Sequence, residues 1–268
     1  MSFFPFTSME RPLYSQLVRY YEILEGRNWK GEIDLVASIL RYHGCKSVLD
    51  MGCGTGYHVR KLAKLGFEVS GIDISEKNIQ LARKKAEEEG TTPRFVVGSY
   101  YKYRPSKNLD ATLCLNWSFP VKDQEARRFL DNAFSLLRPK GLLIFDYEKI
   151  SEIVWSDVGE PITESWNLDS EIIVRVSVGQ IASNVLSSRD VYIIYPKHQE
   201  PEIPSERSRY DGAKVGRDLR IYRDDSVVKF LSLPEIRGFS KVSGFKLIEN
   251  PVLPRKQYKR NYAVLKKV

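Results

Sequence analysis

Residues 47–63 read "SVLDMGCGTGYHVRKLA", with three glycines on alternate positions between an apolar run and a helix-like pattern. Ser47-Val48-Leu49-Asp50 has the β-branched and apolar character of a buried parallel strand, and from Tyr57 onward Val59, Leu62, Ala63 and Leu65 recur at helical spacing. Gly52, Gly54 and Gly56 therefore fall on a strand-to-helix turn. Glycine there permits positive φ and lets backbone N–H groups approach a ligand, while the following helix offers its positive N-terminal end. The turn predicts a polar, nucleotide-like ligand.

The spacing narrows that ligand. A dinucleotide fingerprint needs G-x-G-x-x-G, whereas these glycines run G-x-G-x-G with Tyr57 where the third should fall, which weakens a pyrophosphate reading. A phosphate loop would place Lys and Ser/Thr after the glycines, and Tyr57-His58 stand there instead.

At 268 residues with 42% apolar and 28% charged content, the chain is long enough for one large α/β domain, or two small ones, with a real core. The start, "MSFFPFTSMERPLYSQ", is broken by Pro5 and Pro12 and lacks a basic n-region, so a signal peptide is not expected. No run reaches the length of a transmembrane helix, so no membrane partner is expected. Cys45, Cys53 and Cys114 have no metal-ligand spacing and the chain has only three histidines, so no metal is expected and a reducing, cytoplasmic location fits.

Strands and helices alternate through the first half. "FEVSGIDI" reads as a second strand, Glu76 to Glu89 as a charged helix after an N-cap at Ser75, and "RFVVG" as a third strand. "LDATLCLN" follows as a strand, Asp123 to Leu137 as an amphipathic helix ending near Pro139-Lys140-Gly141, and "LLIFDYE" as another strand. Such alternation predicts an α/β fold with a parallel, doubly wound sheet and right-handed crossovers. After Lys149, "EIIVRVSV", "RDVYIIYP", "RDLRIYRD" and "SVVKFL" read as short strands of an antiparallel β insertion over about 151–231. Helical spacing resumes over "SLPEIRGFSKVSGF", and "FKLIEN" and "NYAVLKKV" close the sheet. The alternative for the insertion is a separate small β-domain.

In such a sheet a nucleoside lies beyond the carboxyl ends of the strands. Asp73 ends the second strand, seventeen residues after Gly56, where a carboxylate can accept from ribose hydroxyls; the plainer role of such an acid is a helix cap. "LDMGCGTG", "GIDIS" and "LLRPKGLLIFD" at these separations resemble the class I S-adenosylmethionine-dependent methyltransferases over about 46–150 and 232–268. That resemblance implies a Rossmann-like seven-stranded sheet with an antiparallel last strand. It also implies S-adenosyl-L-methionine as cofactor, with Asp50 and Gly52, Cys53, Gly54 and Gly56 around its methionine part and Asp73, flanked by Ile74, on its ribose. Where many relatives carry an acid for the adenine amino group, "VVGSYY" offers Ser99, with Tyr100 to stack nearby.

Upstream, "YYEILEGRNWKGEIDLVASIL" is similar to the segment covering the cofactor in small-molecule N-methyltransferases of the glycine N-methyltransferase and aminosugar N,N-dimethyltransferase type. By that likeness Arg27 and Trp29 flank the cofactor's carboxylate and Tyr21 approaches the sulfonium, as suits an arginine fork and aromatic faces. The alternative is that these aromatics pack an N-terminal helix onto the sheet. Residues 1–45 would then form a helical cover and 151–231 a roof over the substrate site.

After the fourth strand comes "LNWSFP", where the reacting methyl should lie, and the Asn116 carbonyl could orient an incoming amine or hydroxyl. Trp117 and Phe119 would be lid packing or substrate contact. The stretch is not the N-P-P-Y of nucleic-acid amino-methyltransferases, which argues against DNA. His58, Asp146 and Glu148 are candidate bases, with His58 equally readable as a helix-start residue bonded to backbone.

The formal charge is +8 and the isoelectric point about 9.2. From Lys241 onward there are eight basic residues and one acid, Glu249, with Arg255, Lys256, Lys259 and Arg260 in one loop on the catalytic side. A basic rim there predicts an anionic acceptor, a carboxylate, a phosphorylated metabolite or RNA, the alternative being a solvated surface loop. The leading expectation is methyl transfer to a nitrogen or oxygen of a small molecule. RNA methylation through the basic tail, a non-catalytic cofactor-binding protein and a nucleotide oxidoreductase are the alternatives. Asp73→Ala is expected to abolish cofactor binding and leave the melting of the unliganded chain nearly unchanged.

Overall fold

The computed structural model describes residues 11–26, 29–116, 119–152, 158–197, 219–254 and 259–268. In chain order the first half runs Tyr21–Glu25 (α1), Trp29–Tyr42 (α2), Ser47–Met51 (β1), Tyr57–Lys64 (α3), Glu68–Asp73 (β2), Glu76–Glu88 (α4), Arg94–Val97 (β3), Leu109–Cys114 (β4), Asp123–Leu136 (α5) and Leu137–Tyr147 (β5). Next come Ile162–Asn167 (β6), Glu171–Ala182 (β7), Val185–Pro196 (β8) and Arg220–Lys229 (β9), then Leu233–Val242 (α6), Phe245–Glu249 (β10), Val252–Pro254 (β11) and Lys259–Lys267 (β12).

The main sheet has the order β10-β12-β5-β4-β1-β2-β3, and short β11 pairs with β12 as an eighth strand. Strands β1 to β5 pair in parallel. β12 runs antiparallel to β5 with Tyr262 opposite Asp146, and β10 runs antiparallel to β12. This is the expected seven-stranded, doubly wound sheet with an antiparallel last strand.

All five residues of β1 are buried, as a central parallel strand covered on both faces demands. Its alternating side chains feed two cores: Val48 joins Val36, Leu40, Val59, Leu62 and Ile79 from α2, α3 and α4. On the other face Leu49 and Met51 join Phe129, Leu130, Ala133 and Ile236 from α5 and α6. Local chemistry sets the helix starts. The Ser75 hydroxyl caps α4 by accepting from Asn78 N–H, and Ser232 and Glu235 form a capping box on α6.

The chain divides into two compact units, one of residues 13–153 and 228–268 and one built on 154–227. The second holds a four-stranded sheet of order β6-β7-β8-β9, with β6–β7 and β7–β8 antiparallel.

Some elements differ from the sequence reading. β5 starts at Leu137, so Pro139-Lys140-Gly141 lies inside the strand; the register with β4 shifts between Leu109 and Ala111, and Lys140 takes a φ of 64°. A bulge of this kind accommodates a proline that a regular ladder would reject. "RDLRIYRD" and "SVVKFL" form one strand, β9, over the described residues. Its Asp225 is neutralised by Arg189 and Arg223, so acids that read as a break sit within a strand.

Candidate functional site

The glycine turn is pinned to the end of β2, where Ile72 O accepts from Gly52 N–H at 2.8 Å and Cys53 N–H at 3.0 Å. Gly52, Gly54 and Gly56 have φ of 81°, 52° and 74°, the left-handed region open to glycine. Gly56 is also forced by packing, since a Cβ there would lie 2.6 Å from Phe95 Cε1 and 2.9 Å from Ala82 Cβ. Among the described residues a Cβ at Gly54 would meet Tyr21 Cε1, at 3.6 Å. The Tyr21 ring therefore lies within van der Waals reach of the tip of the half-buried turn.

Asp73 braces this turn. Its Oδ2 accepts from Gly54 N–H at 2.9 Å, and its Oδ1 from Ser75 N–H at 2.8 Å and Asn78 Nδ2 at 3.3 Å. A carboxylate offers about four acceptor positions, which leaves room for about one further donor, on Oδ2. Ile74, next in the chain, is 80% exposed.

Behind the turn lies a buried polar network. Glu32 Oε2 on α2 stands 3.4 Å from both His58 Nε2 on α3 and Arg260 Nη1 on β12, and the same Nη1 is 3.4 Å from Asp146 Oδ2 on β5. Arg260 Nη1 also donates to Asn116 Oδ1, which accepts from Trp29 Nε1 at 3.1 Å as well. Burial lowers the basicity of His58, but the Glu32 carboxylate 3.4 Å from its Nε2 and the carboxylate of Asp50 outweigh that, leaving its pKa raised. Asp50 is pushed up to about 7 by burial, opposed by His58 and reinforced by Asp73, Glu32 and Asp146.

Three aromatic rings cover the network. Trp29 lies 5.7 Å from Tyr21, 4.9 Å from Tyr57 and 5.5 Å from His58, ring centre to ring centre. A second network ties α1 to the turn: Glu22 accepts from Thr55 Oγ1 at 2.7 Å and from buried Arg60, which also meets Glu89.

The structure thus gathers Asp50, Gly52, Cys53, Gly54, Gly56, Asp73 and Ile74 along adjoining strand ends, with Tyr21, Trp29, His58 and Asn116 in one connected group. Ser99 lies beyond β3, and its carbonyl accepts from Lys102 N–H at 3.0 Å. The Tyr100 ring packs edge-on against Phe129, 5.6 Å away, and belongs to the core below α5. Phe119 stacks on Phe145 at 4.5 Å, a core contact. Arg27, Trp117, Arg255 and Lys256 lie outside the described residues.

One expectation is corrected. Arg260 is no part of an exposed basic rim: it is only 4% exposed and is held by Glu32, Asp146 and Asn116. Asp146, a candidate base by sequence, is likewise buried beside it. Glu32 was missed although it carried a signal, since it shares the apolar stripe of α2 with Val36, Ile39 and Leu40. An acid on a buried helix face needs a partner. Among the described residues no cluster of His, Cys, Asp and Glu could hold a metal, and no helix is long and apolar enough to cross a membrane.

Comparison with known proteins matches residues 48–141 to the family described as "Methyltransferase domain". The chain is similar to glycine N-methyltransferase of Rattus norvegicus, 33% identical over 138 residues, covering 46% of this chain and 47% of that protein. It spans about half the length of such curated relatives. Among solved structures, an amino pentose methyltransferase from Micromonospora echinaspora, with SAM bound, aligns at a TM-score of 0.69 and 18% identity over 98% of this chain and 100% of that one. A sugar N-methyltransferase from Streptoalloteichus aligns at 0.71 and 16% over 98% and 97%. At these identities the structural likeness establishes the fold.

Proposed function

We propose, from the premise that residues 48–141 form a methyltransferase domain of the class I fold, that the chain transfers a methyl group from S-adenosylmethionine to a nitrogen or oxygen of a small, amine-bearing or anionic metabolite. The observation that carries this reading is the half-buried glycine turn of β1 joined to Asp73, whose Oδ2 has room for a ribose hydroxyl.

The residues present fit such a cofactor. Asp73 takes a ribose hydroxyl, exposed Ile74 offers an apolar face to the adenine, and the turn at half-buried Gly54 meets the amino-acid end near Asp50. Tyr21 and Trp29 provide aromatic faces for a cation. When bound, the cofactor supplies an electrophilic methyl group for in-line displacement by a nucleophile. The chain then needs chiefly to orient and exclude water, and orientation alone contributes up to ~7–11 kcal/mol in favourable cases. Within this reading His58 serves as the partner of buried Glu32 and not as the base that deprotonates the acceptor.

Nitrogen is the favoured acceptor atom because two of the proteins cited above are named glycine N-methyltransferase and sugar N-methyltransferase and a third is named for an amino pentose. Burial of Arg260 removes one cation from the segment on which an RNA substrate would rely. The test is transfer of a radiolabelled methyl group from S-adenosylmethionine to panels of amino acids, amino sugars, hydroxylated small molecules and bulk RNA. Label in an amine supports the proposal; label in RNA alone, or in nothing, overturns it.

A further inference from the structure

The Asn116 side chain is polarised by its neighbours. Its Oδ1 accepts from the Trp29 indole N–H at 3.1 Å and from Arg260 Nη1, and indole and guanidinium are both donors only. The carboxamide therefore has one possible orientation, with Oδ1 committed to two donors. Its Nδ2 has no hydrogen-bond partner among the described residues, and the residue is half-buried just past the carboxyl end of β4. Sequence reading assigned the carbonyl of Asn116 to an incoming donor; the geometry leaves the opposite pole free. Its backbone is fixed too, at a φ of 57°, a left-handed conformation that asparagine and aspartate tolerate best among residues other than glycine.

Arg260 makes this arrangement durable. Glu32 and Asp146 each lie 3.4 Å from the same Nη1 that grips Asn116, so that group is itself buried and neutralised. Its location also says what Asn116 meets. Trp29, the other donor, packs 4.9 Å from Tyr57, the first residue of α3, and thus beside the glycine turn and the positive end of that helix. An amide donor linked through Trp29 to the first residue of α3 suits an anion.

We propose that Arg260 is a positioning residue which, with the Trp29 indole, locks the Asn116 carboxamide so that its N–H donates to the carboxylate on the methionine part of the cofactor. This rests on the proposed function and adds to it a role for Arg260 and a polarity for Asn116.

The test compares two ligands that differ at that end, S-adenosylhomocysteine, which carries the carboxylate, and 5′-methylthioadenosine, which lacks it. Binding of each to the full chain is measured by calorimetry for the wild type, Asn116→Asp and Arg260→Lys. Asn116→Asp keeps the acceptor for Trp29 and Arg260 and tolerates the same φ, but it turns an oxygen outward in place of the amide N–H. It should lose ~10–100-fold in affinity for S-adenosylhomocysteine, the worth of a hydrogen bond to a charged group, with methylthioadenosine affinity unchanged. Arg260→Lys keeps the charge beside Glu32 and Asp146 but loses the guanidinium Nη1 that donates to Asn116, and should narrow the same preference. A purely structural Arg260 would change melting without changing the ratio of the two affinities. Wild-type preference retained in Asn116→Asp overturns the proposal, and if that variant does not fold, preference retained in Arg260→Lys does so. If the wild type binds neither ligand, the cofactor reading itself fails and takes this proposal with it.

Discussion

The backbone N–H of Gly54 donates to Asp73 Oδ2 at 2.9 Å, so the acid that ends β2 holds up the glycine turn that ends β1. Fold and site share this carboxylate. Asp73→Ala should therefore weaken S-adenosylhomocysteine binding and also destabilise the unliganded chain, by ~1–3 kcal/mol for the stranded amide donors. Sequence alone suggested unchanged melting. Urea unfolding without ligand decides: an unshifted midpoint would mean that the brace contributes nothing.

The glycines of the turn should not be equivalent. Gly56→Ala forces positive φ on a side chain and drives its Cβ to 2.6 Å from Phe95, whereas Gly54→Ala meets only Tyr21 at 3.6 Å. We expect losses of about 2–4 kcal/mol at Gly56 from strain plus overpacking and about 1–2 kcal/mol at Gly54 from strain alone. Equal destabilisation of the two variants would contradict the packing described.

Asp50 makes stability depend on pH in a direction unusual for a carboxylate. Between the ordinary value of 3.8 and about 7 the folded chain holds a proton that the unfolded chain has lost, so this group's contribution falls as pH rises through that window. Asp50→Asn should melt like the wild type at the lower end and increasingly above it toward the upper end. A constant difference in melting temperature across the window would rule out the buried, protonated carboxyl.

Glu89 has the opposite sign. Burial pushes its pKa up, but hydrogen bonds from Lys61, Lys64 and Arg60 outweigh that and bring it from 4.5 down to about 2. Its stabilisation is full above the ordinary value and is lost as pH falls toward the folded one. Glu89→Gln should flatten that limb of the acid-unfolding curve; an identical limb would show the cluster to be inert.

The parallel, doubly wound character of the main sheet was legible because amphipathic helices separate β1 from β2, β2 from β3 and β4 from β5, and because the G-x-G-x-G turn carries its own conformational demand. β6 was not, since "ITESWN" mixes one acid with polar and apolar residues without a clean period. Arg260 was misread for a deeper reason. Its local neighbours are basic, and local charge predicts exposure, but its burial is decided by Glu32, 228 positions away in sequence, and by Asp146 on β5. Long-range ion pairs leave no period to read. The Asn116 polarity was hidden for the same reason, as both donors come from distant elements.

The central claim is that the glycine turn and Asp73 hold S-adenosylmethionine. Titration calorimetry of the full chain with S-adenosylhomocysteine, with NADH in parallel, tests it most directly. The account predicts micromolar binding of S-adenosylhomocysteine with a stoichiometry of about one, from one turn per chain, and none of NADH, whose pyrophosphate lacks the third glycine of its fingerprint. Binding of NADH, or failure to bind S-adenosylhomocysteine, would contradict it.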